Sequence, residues 1–172
     1  MAVINLAGYS FHWVVEPGPE LTVVAVSRNL GGSLVAFTRQ GSLAGIAETD
    51  EIVALQLCDL DEDRVAEIIT EETVGRGTGI LTRALRVYRL IAGKPVKIWE
   101  TLSLKRLTVR AEGSKQLGQE DQRAYIRCEP SGGGQRRARL LIITEKAQGG
   151  ATITADRRAY TLVGDRIVEV TW

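Results

Sequence analysis

Carboxylates at regular spacing follow an apolar run in LQLCDLDEDRVAEIITEE, residues 55–72. Three aspartates occupy alternate positions from Asp59 onward, and a glutamate follows four residues after the last of them. Hard cations such as calcium prefer several oxygen ligands at short distance, and carboxylates on alternate residues of a tight loop can converge on one point. A backbone carbonyl at the seventh loop position would add a further oxygen. The candidate metal ligands are Asp59, Asp61, Asp63, Val65 through its carbonyl, and Glu67.

The same residues are also compatible with a solvated acidic turn that holds no ion. Exposed carboxylates a few ångströms apart repel each other by only about 1 kcal/mol per pair in water, so such a turn is tolerated. Arg64 lies among the acids and could neutralise them by pairing with Asp59 or Asp63. An ion in this loop would be structural rather than catalytic, because it would hold together the two strands on either side.

The rest of the chain alternates between apolar and polar residues with a period of two. In AYIRCEP, residues 124–130, the side chains of Ala124, Ile126 and Cys128 point to one side of an extended chain. Turn sequences such as NLGGS, IAGKP and VGD separate runs of this kind and suit tight hairpins. The pattern predicts about ten to twelve short strands joined as antiparallel hairpins.

Two segments could form helices instead of strands. Ser42 could cap a helix over residues 42–55, and Pro95 could open one over residues 95–107, where apolar residues are spaced by three. For the second segment we favour a strand, because a strand pattern and a short turn come directly before it. The polar residues 112–122 predict a long loop.

Length and charge narrow the class of protein. The 172 residues, 44% hydrophobic and 25% charged, predict one globular domain over residues 1–172. The formal net charge of +1 gives no overall field that would attract nucleic acid. No run of about eighteen apolar residues occurs, so no membrane-spanning segment is predicted. The first residues lack the features of a signal peptide, which predicts a cytoplasmic protein unless a leader has been removed.

The cysteines and the histidine give little support for other chemistry. Cys58 and Cys128 both lie in strand-like runs, and a disulfide would require those strands to pack together. Two buried free thiols are therefore the favoured interpretation. His12 is the single histidine and lies between two aromatic residues, which is more typical of packing than of catalysis or metal binding.

The acidic loop resembles a loop carried by a known repeat family. DLDEDRVAEIITEE is similar to the D-x-D-G-D-G-x-x-[DE] loop and following strand of integrin-type FG-GAP and VCBS repeats, and the resemblance covers residues 51–102. It implies a β-propeller blade, calcium held by the loop, and an extracytoplasmic binding or adhesion role. The family has glycine where this chain has Glu62 and Arg64. A residue other than glycine in left-handed backbone costs on the order of 1 kcal/mol.

Two units of four or five strands, residues 51–102 and 104–172, give a weak internal repeat that fits this resemblance. The predicted fold is all-β, built of antiparallel hairpins, either as the propeller-like blades of an incomplete propeller or as a related β-sandwich. Open sheet edges in such a fold favour association with a protein partner or a second copy of the chain.

The predicted function is that of a non-catalytic binding or structural module in a larger envelope or surface assembly, stabilised by calcium. Its location would be periplasmic, surface or secreted if a leader has been removed. The alternative is a glycan-active hydrolase that uses carboxylates from separate loops, which would need two acids facing each other across a cleft. Three further acids, Glu71, Glu72 and Glu100, are expected to keep strand edges soluble.

Overall fold

The computed structural model describes residues 11–28, 30–77, 80–110, 117–129, 138–148 and 151–171, and it places most of them in twelve strands. Within each of two sheets, every strand pairs antiparallel with its neighbours in sequence, so the predictions of an all-β chain and of hairpin connections are confirmed. Within these ranges, no helix has the length and apolar character needed to cross a bilayer.

The first four strands form one sheet in sequence order: β1 (Phe11–Gly18), β2 (Leu21–Arg28), β3 (Gly31–Thr38) and β4 (Leu43–Thr49). The other eight form a second sheet, also in sequence order, and neither sheet is closed. They are β5 (Glu51–Cys58), β6 (Glu67–Gly77), β7 (Ile80–Ile91), β8 (Lys94–Arg110), β9 (Leu117–Glu129), β10 (Arg139–Gln148), β11 (Ala151–Val163) and β12 (Arg166–Val170).

Hairpin turns agree with their sequences. Between β7 and β8, Ala92 and Gly93 both adopt positive φ, at 50° and 80°, while Ile91 pairs with Lys94. Positive φ at both central residues matches the right-handed twist of the flanking strands. Between β11 and β12, Gly164 has a φ of 60° and supplies the left-handed residue of the turn.

Two sequence predictions differ from the structure, and a third is not confirmed. Residues 42–55 contain β4 and β5 rather than a helix, because their apolar residues pack on neighbouring strands; Ile52, for example, is fully buried. The segment 112–122 is strand from Leu117 onward, where it pairs with β8. The proposed boundary between the two repeat units falls inside β8, and β5 to β12 form one continuous sheet, so the propeller blades are not confirmed.

The two sheets pack on each other through a core that we call the inter-sheet core. It joins the inward face of the four-stranded sheet to one face of β5, β6 and β7. The two sheets also approach closely at Gly45 of β4, where an added Cβ would lie 2.8 Å from Lys94. The buried members of the inter-sheet core are Val23, Ala25, Leu34, Ala36, Ile52, Ile68 and Tyr88.

A second core, the inner core, lies where the eight-stranded sheet curves over on itself, so that β5 to β7 face β9 to β11. Ala124, Ile126 and Cys128 all pack against it, as their alternation in the sequence predicts. The buried members of the inner core are Cys58, Leu60, Ile69, Leu85, Val87, Leu140, Ile142 and Leu162. Adjacent residues of β6, Ile68 and Ile69, belong to different cores, so this strand is buried on both faces.

The curvature of the sheet joins the two cysteines. Cys58 at the end of β5 and Cys128 near the end of β9 form a disulfide, with their Cα atoms 5.9 Å apart. The expectation of two free thiols is therefore wrong. Three strands separate β5 from β9 in the sheet, so the contact arises only because the sheet curves, which local sequence patterns do not reveal.

Candidate metal centre

The acidic loop, residues 59–66 with Glu67 at the start of β6, closes the β5–β6 hairpin. Leu60 is fully buried in the inner core and fixes the start of the loop to the body of the protein. The end of the loop is fixed to the β1–β2 hairpin, because the Ala66 N–H donates a 2.7 Å hydrogen bond to the carbonyl oxygen of Pro17. The loop is thus held against the folded body at both ends.

The loop backbone turns sharply at two residues. Glu62 and Arg64 have φ values of 63° and 71°, in the left-handed region that glycine adopts most easily. These are the two positions at which the resembling repeat loops carry glycine. The backbone therefore makes both turns despite the side chains. The Arg64 N–H donates to Asp59 Oδ2 at 3.0 Å, a bond that crosses the turn.

Three of the predicted ligands converge. One carboxylate oxygen from each of Asp59, Asp61 and Glu67 lies within 4.8 Å of the other two. The Glu67 side chain is only 1% exposed, and the other two are partly buried. In the part of the chain that the structure describes, the buried atoms Asp59 Oδ1, Asp61 Oδ1 and Glu67 Oε1 accept no hydrogen bond.

The second oxygen of each of these carboxylates is engaged. Glu67 Oε2 accepts a 2.9 Å hydrogen bond from the Leu60 N–H, Asp59 Oδ2 accepts from Arg64, and Asp61 Oδ2 accepts from Arg89. Buried polar atoms are normally satisfied, so three unsatisfied carboxylate oxygens from one short segment require an explanation. A cation with oxygen ligands at about 2.3 to 2.6 Å fits between carboxylate oxygens that lie within 4.8 Å of one another. These three residues could therefore hold a metal ion.

Comparisons with known proteins give no match. No protein-family model, no curated protein and no solved structure matches the chain. The resemblance to FG-GAP and VCBS repeats therefore stays a prediction, and the geometry of the acidic loop is the support for a metal ion.

The other two predicted ligands lie in the same loop but outside the group of three. Asp63 Oδ1 accepts a 2.8 Å hydrogen bond from the Val65 N–H, and Asp63 Oδ2 lies 3.3 Å from a nitrogen of Arg89. The two oxygens of Asp63 thus have partners within the protein. The role of the Val65 carbonyl as a ligand stays a prediction.

The cation that contacts the acids is Arg89 of β7. Its guanidinium lies 2.6 Å from Asp61 Oδ2 and 3.9 Å from Glu67 Oε1. It also donates to the carbonyl oxygen of Gly164 at 2.8 Å and lies 3.6 Å from Asp165, so it connects the acidic loop to the β11–β12 turn. Burial lowers the pKa of Arg89, but the charges of the neighbouring carboxylates, led by Asp61, outweigh burial and raise it.

Arg64, the cation that the sequence suggested, takes no part in the ion pairs of the described residues, and its side chain is exposed. Sequence reasoning missed Arg89 because it lies 22 residues beyond Glu67 on another strand. One signal was available. Leu85, Val87 and Arg89 alternate along β7, so the arginine occupies the next position on the face that carries two inner-core residues.

Burial also affects the ionisation of Glu67. Burial raises its pKa from an ordinary value of 4.5 to about 7, because water is excluded from the carboxylate and the negative charge of Asp61 lies close by. The hydrogen bond from the Leu60 N–H and the charge of Arg89 oppose that rise without cancelling it. An ion at this position would supply the positive charge that a buried carboxylate requires.

The raised pKa predicts a pH dependence of stability in calcium-free buffer. The folded state favours protonated Glu67, so its stabilising effect is complete below pH 4.5 and is lost as the pH rises through 7. A shift of this size corresponds to about 3 kcal/mol. Urea unfolding measures the effect in the wild type and in Glu67→Gln between pH 4.5 and 7.5. As the pH rises, the unfolding free energy of the wild type should fall relative to that of Glu67→Gln. A difference independent of pH would contradict the prediction.

A second group of charges lies on the other face of β6. Glu72 is completely buried, contrary to the expectation that it keeps a strand edge soluble. Its carboxylate accepts hydrogen bonds from the Asp50 N–H at 2.8 Å, the Thr70 hydroxyl at 2.6 Å and the Tyr88 hydroxyl at 3.0 Å, and it pairs closely with Arg86. These bonds satisfy both oxygens of Glu72, so this group is a structural network.

Arg86 connects that network to the surface. Burial lowers its pKa, but the charge of Glu72 and the hydrogen bonds to Glu100 and Asp50 outweigh burial and raise it. Burial and the charge of Glu72 both raise the pKa of Tyr88.

The hydrolase alternative needs two carboxylates facing each other across a cleft. Each of three cavities in the described part of the chain has one lining carboxylate, from Asp156, Glu71 or Glu48.

Proposed function

We propose that the protein is a non-catalytic binding or structural module of an envelope or surface assembly, and that its acidic loop holds a calcium ion. The observation that carries this proposal is the convergence of Asp59, Asp61 and Glu67, each with one buried oxygen that accepts no hydrogen bond from the described residues. The spacing of the acids and the two left-handed residues between them support a cation-binding loop over a solvated turn.

Calcium is favoured over magnesium by the type and number of donors. Calcium accepts six to eight oxygens in flexible geometry, whereas magnesium demands a near-ideal octahedron and keeps several of its waters. A loop that offers carboxylates at positions one, three, five and nine, with a backbone carbonyl at position seven, suits the first requirement. Asp63 and the carbonyl of Val65 would complete the ligand set beside the three convergent acids.

The ion would act as a structural cross-link. It would neutralise the buried charge of Glu67 and hold the end of β5 to the start of β6. Because Ala66 is bonded to Pro17 and Arg89 reaches Gly164, an ordered loop would also fix the β1–β2 and β11–β12 hairpins. The position of these hairpins around the loop supports a role in shaping one surface of the module.

The disulfide supports a location outside the cytoplasm, and the open sheet edges support association with a partner. A disulfide between Cys58 and Cys128 is typical of oxidising compartments outside the cytoplasm. The outer strands β1, β4 and β12 each carry an exposed large apolar residue, Val14, Ile46 and Val168, which favours association with a protein partner or a second copy. A blade-like organisation within a larger propeller belongs to the same proposal.

Thermal melting in calcium against chelator tests the proposal. An ion present at a hundred times its dissociation constant stabilises the folded state by about 2.7 kcal/mol. For a chain of this length, that stabilisation should raise the melting temperature by about 5 to 10 °C. Asp59→Asn and Asp61→Ala should each abolish most of the increase, because each removes one of the convergent carboxylates.

Asp165→Asn is the matched control. Asp165 also lies beside Arg89 but is exposed and belongs to another turn, so this variant should keep the full calcium response. Magnesium at the same concentration should give a smaller increase. The calcium proposal is wrong if millimolar calcium leaves the melting temperature unchanged, or if Asp59→Asn responds as the wild type does.

A further inference from the structure

The curved face of the eight-stranded sheet continues beyond the inner core into an open cavity of about 370 Å³. Ligand cavities commonly begin at about 300 Å³, so this space can admit a small ligand. Strands β8, β9, β10 and β11 contribute to its walls. We call it the trough cavity.

The inward residues of β9, β10 and β11 become polar beyond the inner core. Ile126, Ile142 and Arg158 form one cross-strand row, and the next inward row contains Ala124, Thr144 and Asp156. One step further, Gln122 pairs with Lys146. The inward face is polar from Arg158 on β11, Thr144 on β10 and Gln122 on β9, so the apolar core ends there and a polar surface begins.

The trough cavity carries positive charge. Lys146 is exposed and forms no ion pair with the described residues. Arg158 is paired with Asp156 at 2.8 Å and lies 3.8 Å from Glu169. Arg158 is therefore balanced within the protein, whereas Lys146 has no ion partner among the described residues and can meet an anionic group.

Uncharged polar groups and one aromatic ring complete the lining. The hydroxyls of Thr101, Thr144 and Tyr160 and the amide of Gln122 can each donate and accept hydrogen bonds. The Tyr160 ring is held in place by Trp99, whose ring centroid lies 5.0 Å away. Several neutral groups of this kind beside an exposed lysine suit a ligand with many hydroxyls and one carboxylate.

We infer that the trough cavity binds an acidic saccharide, with its carboxylate at Lys146 and its hydroxyls at Thr144, Gln122 and Tyr160. The trough cavity is separate from the acidic loop. Gln122 lies six residues before the disulfide-bonded Cys128 along β9, which corresponds to about 20 Å of extended strand. Saccharide binding at this place does not depend on calcium in the loop.

Calorimetric titration of the intact chain with a galacturonic acid disaccharide tests the inference. A neutral galactose disaccharide and sodium sulfate at matched ionic strength serve as comparison ligands. The acidic disaccharide should bind, and Lys146→Gln should weaken it by about tenfold or more, because the variant loses a charge-assisted hydrogen bond. Tyr160→Phe keeps the ring against Trp99 and should cause a smaller loss.

Lys97→Gln is the matched control. Lys97 lies opposite Tyr88, a residue of the inter-sheet core, in the register of β7 and β8, and its ion partner is Glu100. It should bind the acidic disaccharide as the wild type does. Sulfate binding with the same affinity as the disaccharide would overturn the saccharide assignment and leave a simple anion site. Absence of binding at millimolar disaccharide, or equal binding by Lys146→Gln, would overturn the inference altogether.

Discussion

Reduction of the Cys58–Cys128 disulfide is expected to lower the free energy of unfolding by about 4 kcal/mol. The bond closes a loop of 70 residues, and a cross-link of that length removes many conformations from the unfolded chain. It also joins the edge strand β5 to β9, so it holds together the two halves of the curved sheet on either side of the inner core. A loss of this size is a large part of the stability of an ordinary domain.

Urea unfolding of the oxidised and reduced wild type measures this effect, with intact mass confirming a gain of about two daltons on reduction. The Cys58→Ala, Cys128→Ala double variant is the control, because reductant should leave its unfolding curve unchanged. If oxidised and reduced wild type unfold at the same urea concentration, the disulfide is not a stabilising cross-link. A wild type that gains no mass on reduction would contradict the bond itself.

Replacement of Arg86 by methionine is expected to cost about 3 to 5 kcal/mol, because it leaves the buried charge of Glu72 without its partner. Glu72 would keep its hydrogen bonds from Asp50, Thr70 and Tyr88, but no cation would balance its charge. Replacement of both partners, in Arg86→Met with Glu72→Gln, should cost less than Arg86→Met alone, since the uncompensated charge is then absent.

Chemical denaturation of the two single variants and the double variant completes a thermodynamic cycle for this pair. Arg127→Met provides a control of identical chemistry at a side chain that is 77% exposed, and it should change the unfolding free energy by less than about 0.5 kcal/mol. A double variant less stable than Arg86→Met would show that the hydrogen bonds of Glu72, rather than its charge, control the outcome.

Local sequence patterns predicted most of the strands and an acidic loop between two of them. Ala124, Ile126 and Cys128 alternate in the sequence and share the inner core in the structure. Asp59, Asp61 and Glu67 converge within a segment that turns sharply at Glu62 and Arg64. Both features depend on interactions between residues close in sequence, and such interactions can be inferred from a single sequence.

Features that depend on sheet curvature and strand register were missed. Arg89 meets Asp61 only because β6 and β7 pair in one register, and Cys58 meets Cys128 only because the sheet curves over the inner core. Glu72 resembles an exposed strand residue in sequence, yet the four-stranded sheet covers that face of β6. These contacts are set by the global arrangement of strands, so composition and periodicity do not predict them.

The double-sided burial of β6 and β7 has a consequence for how the molecule denatures. Neighbouring residues of these strands, such as Val87 and Tyr88, support opposite cores, so neither core can lose its order while the other keeps an intact wall. The two sheets should therefore melt as one cooperative unit. A ligand that tightens the β5–β6 hairpin would then protect regions of the protein that it never touches.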